Sequence, residues 1–310
     1  MSRQLFIYHG GCFDGFTAAW IWSRFYLPNS DVVEYYPARY GDAPPDVKGR
    51  DVIIADFSYP RAAMLEIVRA ASHVTIFDHH HTAQQALDGL NEELAVGFGK
   101  PSSWRSREDI PPQARIVFDM NRSGAGIVWD DVEGFNICEG IGNGPRPAIV
   151  NYTEDRDLWR KALPFTDAYS ALVSATPMTF EAWDELHGMP FDAIVDKGNG
   201  ILCYIQQYGT KAIEQAQLLE WRAFPARLID LPVWCMNLPY MNCSEHVGRL
   251  LEEKGGPFAA GYFRRGDGRW QFSLRSRSDF DCSEVAKLFG GGGHLQAAGF
   301  DVQDLTEVFA

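Results

Sequence analysis

The sequence is short of basic residues and has no long apolar run. Across 310 residues, 28 Lys+Arg stand against 41 Asp+Glu, for a formal net charge of −13. A protein that coats duplex nucleic acid irrespective of sequence needs a broad basic face, and this balance argues against one. Small phosphorylated ligands stay open, because local charge can differ from the total. No stretch approaches the ~20 apolar residues that span a bilayer, so no membrane partner is expected. The opening MSRQLFIYHGGCFDG turns polar too soon for a secretory leader, and a cytoplasmic protein is expected. The six cysteines, at 12, 138, 203, 235, 243 and 282, form no C-x-x-C pair. Free thiols are expected at this size, not a disulfide framework. There is no internal repeat and no low-complexity tract.

What is present can fold. A hydrophobic fraction of 46% with 13% aromatic residues fills real cores, and the length suits two domains. Leu5–Tyr8, Asp51–Ala55 and Val74–Phe77 read as strands. Phe16–Phe25 and Pro60–Ala71 read as the helices between them. This β-α-β-α-β order predicts a parallel sheet covered by helices, an α/β Rossmann-like domain. A strand at Ile116–Phe118, a helix at Gly124–Trp129 and a helical stretch at Ile149–Trp159 follow. One long connecting helix is expected over 191–221, ending in AIEQAQLLEW. Beyond it, Arg227–Leu231, Val233–Asn237, Ala259–Phe263 and Trp270–Leu274 are strand-like. Ser244 can cap a helix over Glu245–Lys254, and Cys282–Phe289 is a further helix that Gly290–Gly293 ends. The expected layout is a domain at 1–190, a helical linker at 191–222 and a smaller α+β domain at 223–310. The aromatic groups Phe16/Trp20/Trp22/Phe25 and Tyr35/Tyr36 read as core.

Three strand ends carry the chemistry. The first runs through His9, Gly10, Gly11, Cys12 and Phe13 to Asp14. The second ends at Asp56, the third at Asp78-His79-His80. In a parallel sheet these points share the carboxyl edge, where open α/β folds bind ligands. Imidazole and carboxylate together suit Mn²⁺ or a similar ion better than a structural zinc, which prefers thiolate.

Asp78-His79-His80 after an apolar strand resembles the signature of the DHH phosphoesterase family. Gly291-Gly292-Gly293-His294 followed by Ala297-Ala298-Gly299 resembles that of the DHH-associated C-terminal domain. The resemblance covers nearly the whole chain and is nearest to the oligoribonuclease-like and nucleotide phosphodiesterase members. It implies an active-site cleft between the two domains. It also implies metal ligands at His9, Asp14, Asp56 and His79, with Asp56 bridging two metals and Asp78 and His80 beside them in catalysis. A further ligand comes from Glu154-Asp155-Arg156-Asp157, with Asp155 favoured over Asp157. The family's first motif has an acidic residue where this sequence has Cys12. That thiol either ligates a softer metal or packs as a small apolar group. The implied cofactor is Mn²⁺ in a two-metal site with one ion held weakly, Mg²⁺ or Co²⁺ being alternatives. Two such ions ~3.5–4 Å apart activate water for in-line attack on phosphorus.

The C-terminal motif implies substrate grip. Gly290–Gly293 can offer consecutive N–H groups to a phosphate, and His294 adds a donor. Five arginines (264, 265, 269, 275 and 277) fall between Tyr262 and Arg277, against Asp267 alone. Arg275 and Ser276 match the segment that precedes the glycine motif in relatives, with Arg275 expected to hold a phosphate. Arg264, Arg265 and Arg269 read as solvated turn residues. Arg122-Ser123-Gly124-Ala125 resembles a recurring family segment in which Ser123 caps a helix. The leading reading is a phosphodiesterase for short oligonucleotides, with no long duplex as partner and a homodimer left open. A nucleoside bisphosphate phosphatase, a cyclic (di)nucleotide phosphodiesterase and a non-catalytic nucleotide-binding module are the competing ones.

Overall fold

The computed structural model describes residues 4–26, 33–90, 114–138, 144–222, 232–239 and 242–309. The expected strand at 227–231 lies outside them. The chain divides into two compact units, Met1–Ile201 and Leu202–Ala310.

The N-terminal unit is built on β1 (Gln4–His9), β2 (Val33–Ala38), β3 (Asp51–Ala55), β4 (His73–Asp78) and β5 (Ala114–Phe118). They form one sheet in the order β2-β1-β3-β4-β5, and every pair is parallel. Helices α1 (Phe13–Phe25), α2 (Arg61–Ala70), α3 (His81–Leu87), α4 (Gly124–Cys138) and α5 (Ala148–Asp157) follow in sequence. After them come α6 (Thr166–Ser174) and α7 (Phe180–Gly188). Alternate strand residues point to opposite faces, so each strand feeds two cores. Phe6, Ile53, Ala55 and Phe77 join one with Phe16, Trp20, Trp22, Trp129 and Trp183. Leu5, Ile7, Val52, Ile54, Val74 and Ile76 join the other with Met64, Ile67 and Val68 of α2. The buried indoles find partners: Trp20 donates to Asp184 at 3.0 Å and Trp183 to Thr17 at 3.1 Å. The expected aromatic core is therefore real.

This strand order is that of a doubly wound sheet. The connection from β1 leaves toward β2, and the later ones return past β1 to β3 and β4. The topological switch point falls between β1 and β3, whose ends carry His9 and Asp56.

Helix α8 (Phe191–Glu214) is 24 residues long, and the division between the units lies inside it. It stops seven residues before the expected end at 221, because Gln217–Leu219 is a strand, β6. The C-terminal unit continues with β7 (Val233–Asn237), α9 (Cys243–Lys254), β8 (Phe258–Arg264) and β9 (Trp270–Ser276). It closes with α10 (Cys282–Leu288), β10 (Gly292–His294) and β11 (Ala297–Val302). The mixed sheet runs β10-β11-β9-β8-β7-β6. Only β7 and β8 pair in parallel, and α9 makes that crossover. One face is an aromatic stack: Phe272 and Phe300 lie 4.7 Å apart, Phe289 and Phe300 4.2 Å, and Trp221 packs beside them. Asn242, in the left-handed region, stands at the N-cap of α9 in place of the expected Ser244.

Among the described residues, no helix is long and apolar enough to cross a membrane.

Candidate metal centre

Asp56 is the pivot. It follows β3 directly, is 1% exposed and adopts φ +54, a left-handed conformation that Asp tolerates better than most residues. Its N–H bonds to the Phe77 carbonyl at 2.9 Å, which fixes it against β4. Oδ1 lies 3.1 Å from His79 Nε2 and 4.0 Å from His80 Nδ1. Oδ2 lies 3.4 Å from His9 Nδ1. Both Asp56 Oδ2 and His9 Nδ1 are buried with no hydrogen-bond partner. Orphaned buried polar atoms that face one another are unusual unless something else satisfies them, and a cation does so.

Three donor groups surround this point: His9/Cys12/Asp56, Asp56/His79/His80 and Asp14/His79/Asp157. Within each, the donor atoms lie within 4.8 Å of one another. Asp56 and His79 are each shared by two groups. The residues thus fit one or two divalent cations with mixed nitrogen and oxygen ligands.

Asp14 is held from the far side. Its Oδ2 accepts from the Gly124 amide at 2.6 Å and its Oδ1 from Ala125 at 3.0 Å, the first two residues of α4. The positive helix end stabilises that carboxylate. Gly124 is required there: a Cβ would sit 2.6 Å from the Asp56 Cβ and 2.9 Å from Asp14 Oδ2. Ser123 caps the helix as expected, its hydroxyl accepting from Gly126 N at 3.1 Å.

The fourth-motif expectation needs correction. Asp155 does not reach the cluster. It is buried and accepts from Ala162 N at 2.9 Å, Leu163 N at 3.2 Å and the Thr166 hydroxyl, so it pins the loop after α5. Asp157 is the residue that approaches, with Oδ2 3.5 Å from His79 Nε2. Neighbouring Glu154 is a structural hub, bound to Arg122 at 2.9 Å and Arg146 at 3.3 Å. Arg122 also pairs with Asp130 and is spent on structure.

Asp78 is fully buried, and its placement is that of a positioning group. Oδ1 accepts from His79 N at 2.7 Å and His80 N at 3.1 Å, and lies 2.7 Å from His80 Nδ1. Oδ2 accepts from the Ser58 hydroxyl at 2.6 Å. No motif or spacing points to Ser58, nor to Tyr40, whose exposed ring lies 5.2 Å from that of His9.

Electrostatics follow from packing acids together. Burial and the nearby Asp56 and Asp157 push the Asp14 carboxyl well up. Burial and Asp56 raise Asp157 to about 6. Burial alone would raise Asp56 too, but the His79 and His9 interactions outweigh it and hold it below the usual range. Burial opposes a charged His79, yet Asp56, Asp157 and Asp14 raise it to about 10. His80 is raised as well, because Asp78 outweighs burial. A cluster this rich in carboxylate substitutes protons for the positive charge that it is built to hold.

In the C-terminal unit, Gly292–His294 is a sheet-edge strand paired with β11, not an open loop. The amides of Gly290 and Gly291 are used on Lys287 O and Ala286 O, at 3.0 and 2.9 Å, to stop α10. The run of consecutive outward N–H groups expected for a phosphate is therefore not formed. The glycines serve close packing: a Cβ at Gly291 would lie 2.2 Å from Gly299 O, and one at Gly293 2.5 Å from Ala297 O. His294 is exposed on this edge. Ser276 is buried, its hydroxyl at 2.6 Å from Phe280 O and 3.1 Å from Leu295 O, so it ties loops together. Arg275 is half-buried, with Nη1 2.7 Å from Leu274 O. Arg265 pairs with Asp267 at 2.7 Å and Arg269 with Asp301, so much of the hairpin's positive charge is compensated locally.

Comparison with known proteins agrees with this picture. Residues 237–309 match the DHHA1 domain. The uncharacterized protein R106 of Acanthamoeba polyphaga mimivirus is 26% identical over 311 residues. The match covers 94% of this chain and 66% of that relative's length, just under two thirds of it. An exopolyphosphatase-related protein from Bacteroides fragilis has a similar structure, with TM-score 0.53, 13% identity, and 98% of this chain and 87% of that one covered. RecJ from Thermus thermophilus, solved in complex with Mn²⁺, gives TM-score 0.52 at 15% identity, over 96% of this chain and 49% of that one. At such identities the structural likeness speaks for the fold. The chain thus joins a DHHA1 domain at 237–309 to a RecJ-like fold in which Asp78-His79-His80 stands at the end of β4.

Proposed function

We propose that the chain is a metal-dependent phosphoesterase that hydrolyses short oligonucleotides to mononucleotides. The observation that carries this reading is the convergence of His9, Asp14, Asp56, His79 and Asp157, with Asp56 and His79 each common to two donor groups. Divalent cations held there would supply Lewis acidity toward a phosphoryl oxygen and a lowered pKa for water. Mn²⁺ is the ion of choice, in keeping with the Mn²⁺ complex of the similarly folded RecJ. The chain's own groups do the rest. Asp56 and Asp157 fix ligand geometry, and Asp14 is oriented by the end of α4. Asp78 engages His80 Nδ1 at 2.7 Å, so Nε2 is the nitrogen through which His80 meets substrate. Its raised pKa keeps an imidazolium nearer neutral pH, fit to protonate a leaving oxygen or bind a phosphoryl oxygen. Within the DHHA1 domain, Arg275 and the exposed His294 are the candidates for phosphate contact. A net charge of −13 favours a few nucleotides over a long duplex.

The test is to incubate the purified protein with Mn²⁺ and di- to pentanucleotides, beside a nucleoside bisphosphate and a cyclic dinucleotide. Fastest release of mononucleotides from the linear set is expected. Faster turnover of either other substrate would keep the chemistry and change its object. Turnover of none would overturn the hydrolase reading in favour of a nucleotide-binding module.

A further inference from the structure

We propose that Cys12 makes the His9 side of the cluster a nitrogen–sulfur–oxygen site for a thiophilic divalent cation of the zinc or cobalt class. The Asp14/His79/Asp157 side, with one nitrogen and two carboxylates, would keep the harder manganese class. This rests on the cluster being a metal centre and goes further, by making its two sides chemically unequal.

Cys12 stands in the turn between β1 and α1, with its amide 3.4 Å from the His9 carbonyl. It is half-buried and belongs to neither apolar core of the N-terminal unit. A thiol that merely fills space would be ringed by apolar atoms. This one has an imidazole nitrogen and a carboxylate oxygen within 4.8 Å. A second observation stands apart from the cysteine. Asp56, 1% exposed, directs an unpartnered Oδ2 at His9 Nδ1, itself buried and unpartnered, 3.4 Å away. Two orphaned donors and a thiol sharing one small volume describe a ligand set. Sulfur decides which ion it prefers: thiolate and imidazole favour zinc and cobalt, and pure carboxylate sites favour manganese and magnesium. On binding, a sulfur–metal bond forms and the thiol proton leaves to solvent.

Cys12→Ser leaves every other cysteine in place, so it isolates this thiol in a spectroscopic test. Cys235, Cys243 and Cys282 are buried in the C-terminal unit and Cys203 is exposed on α8. Metal-free full-length protein, wild type and Cys12→Ser, would be titrated with Co²⁺ and followed by absorption. The expected result is a saturable thiolate-to-cobalt charge-transfer band in the near ultraviolet for wild type. Cys12→Ser should lack the band and bind Co²⁺ at this side at least about tenfold more weakly. A second variant, Cys12→Asp, restores a hard donor. It should lack the band, bind Mn²⁺ more tightly than wild type, and lose the preference for Zn²⁺ in competition. Co²⁺ uptake by wild type without the band would overturn the proposal while leaving the metal centre intact. A band that persists in Cys12→Ser would overturn it as well. No uptake of Co²⁺ or Mn²⁺ by wild type would overturn this inference and the hydrolase reading together.

Discussion

Asp155 and Asp157 lie two residues apart on one helix, and the fold gives them different work. At about 100° per residue, two steps turn a side chain through about 200°, so the two cannot share a target. Asp155 satisfies two amides and a hydroxyl in the loop beyond α5, and Asp157 faces His79. Asp157→Asn should therefore weaken Mn²⁺ binding by about 10- to 100-fold with little loss of stability. Asp155→Ala should cost about 1–3 kcal/mol of stability, from stranded donors, and leave metal affinity nearly intact. Calorimetric titration and denaturant unfolding of the two variants separate these outcomes, and the reverse pattern would refute the assignment. The strand-end residues His9, Asp14, Asp56 and His79 are legible in the sequence because a parallel sheet delivers its strand ends to one edge. The choice between two acids on one helix is not, since it depends on which face of α5 turns inward. Ser58 and the amides of Gly124 and Ala125 stay hidden too, because they act through contacts between segments far apart in the chain.

Elements are legible where periodicity is strong and hidden where local chemistry mimics something else. DVIIA reads as a buried strand and is β3, residue for residue. Strand β2, VEYYPA, escapes a reading by pattern: Pro37 argues against a strand, and it is tolerated because β2 lies at the sheet edge. Strand β6 reads as the last turn of α8, because its apolar residues continue a helical spacing. The glycine run reads as a phosphate loop, when its amides stop a helix and its bare Cα atoms admit β11. The join between α4 and α5 gives a further prediction. Glu154, buried, accepts from Ser123 N at 3.1 Å and binds Arg122 and Arg146. Burial by itself would raise this carboxyl, but the arginines hold it below its ordinary value. Its contribution is thus complete above the unfolded pKa of about 4.3 and is lost as pH falls through the lowered folded value. Glu154→Ala should cost about 3 kcal/mol at neutral pH, because it leaves arginines without their buried partner. Urea unfolding at neutral pH and at acid pH checks both statements: the cost should shrink in acid, and a pH-independent cost would contradict the ion-pair account.

On the scale of the whole molecule, the excess of acid looks different once its location is known. Asp14, Asp56 and Asp157 converge on one point with His79, which a net charge of −13 cannot reveal. Without a cation the cluster retains protons, with His79 raised to about 10 and Asp157 to about 6. A cation must expel them, so metal affinity should rise with pH. The His79 proton is displaced throughout the range from about pH 6 to 8, which gives about a tenfold tighter Kd per pH unit. Mn²⁺ titration at several pH values measures the slope, and a flat profile would remove His79 from the ligand set.

The central claim is that Asp56 anchors a metal centre that hydrolyses phosphate esters, and one rate comparison tests it most directly. Wild type and Asp56→Asn would be assayed on a short oligonucleotide with and without Mn²⁺. The account expects wild-type mononucleotide release only with the ion, and a loss of about a thousandfold in Asp56→Asn. That size follows because a lost Lewis acid removes several kcal/mol and each ~1.4 kcal/mol is tenfold. Metal-independent release, or an Asp56→Asn rate within a few-fold of wild type, would contradict it.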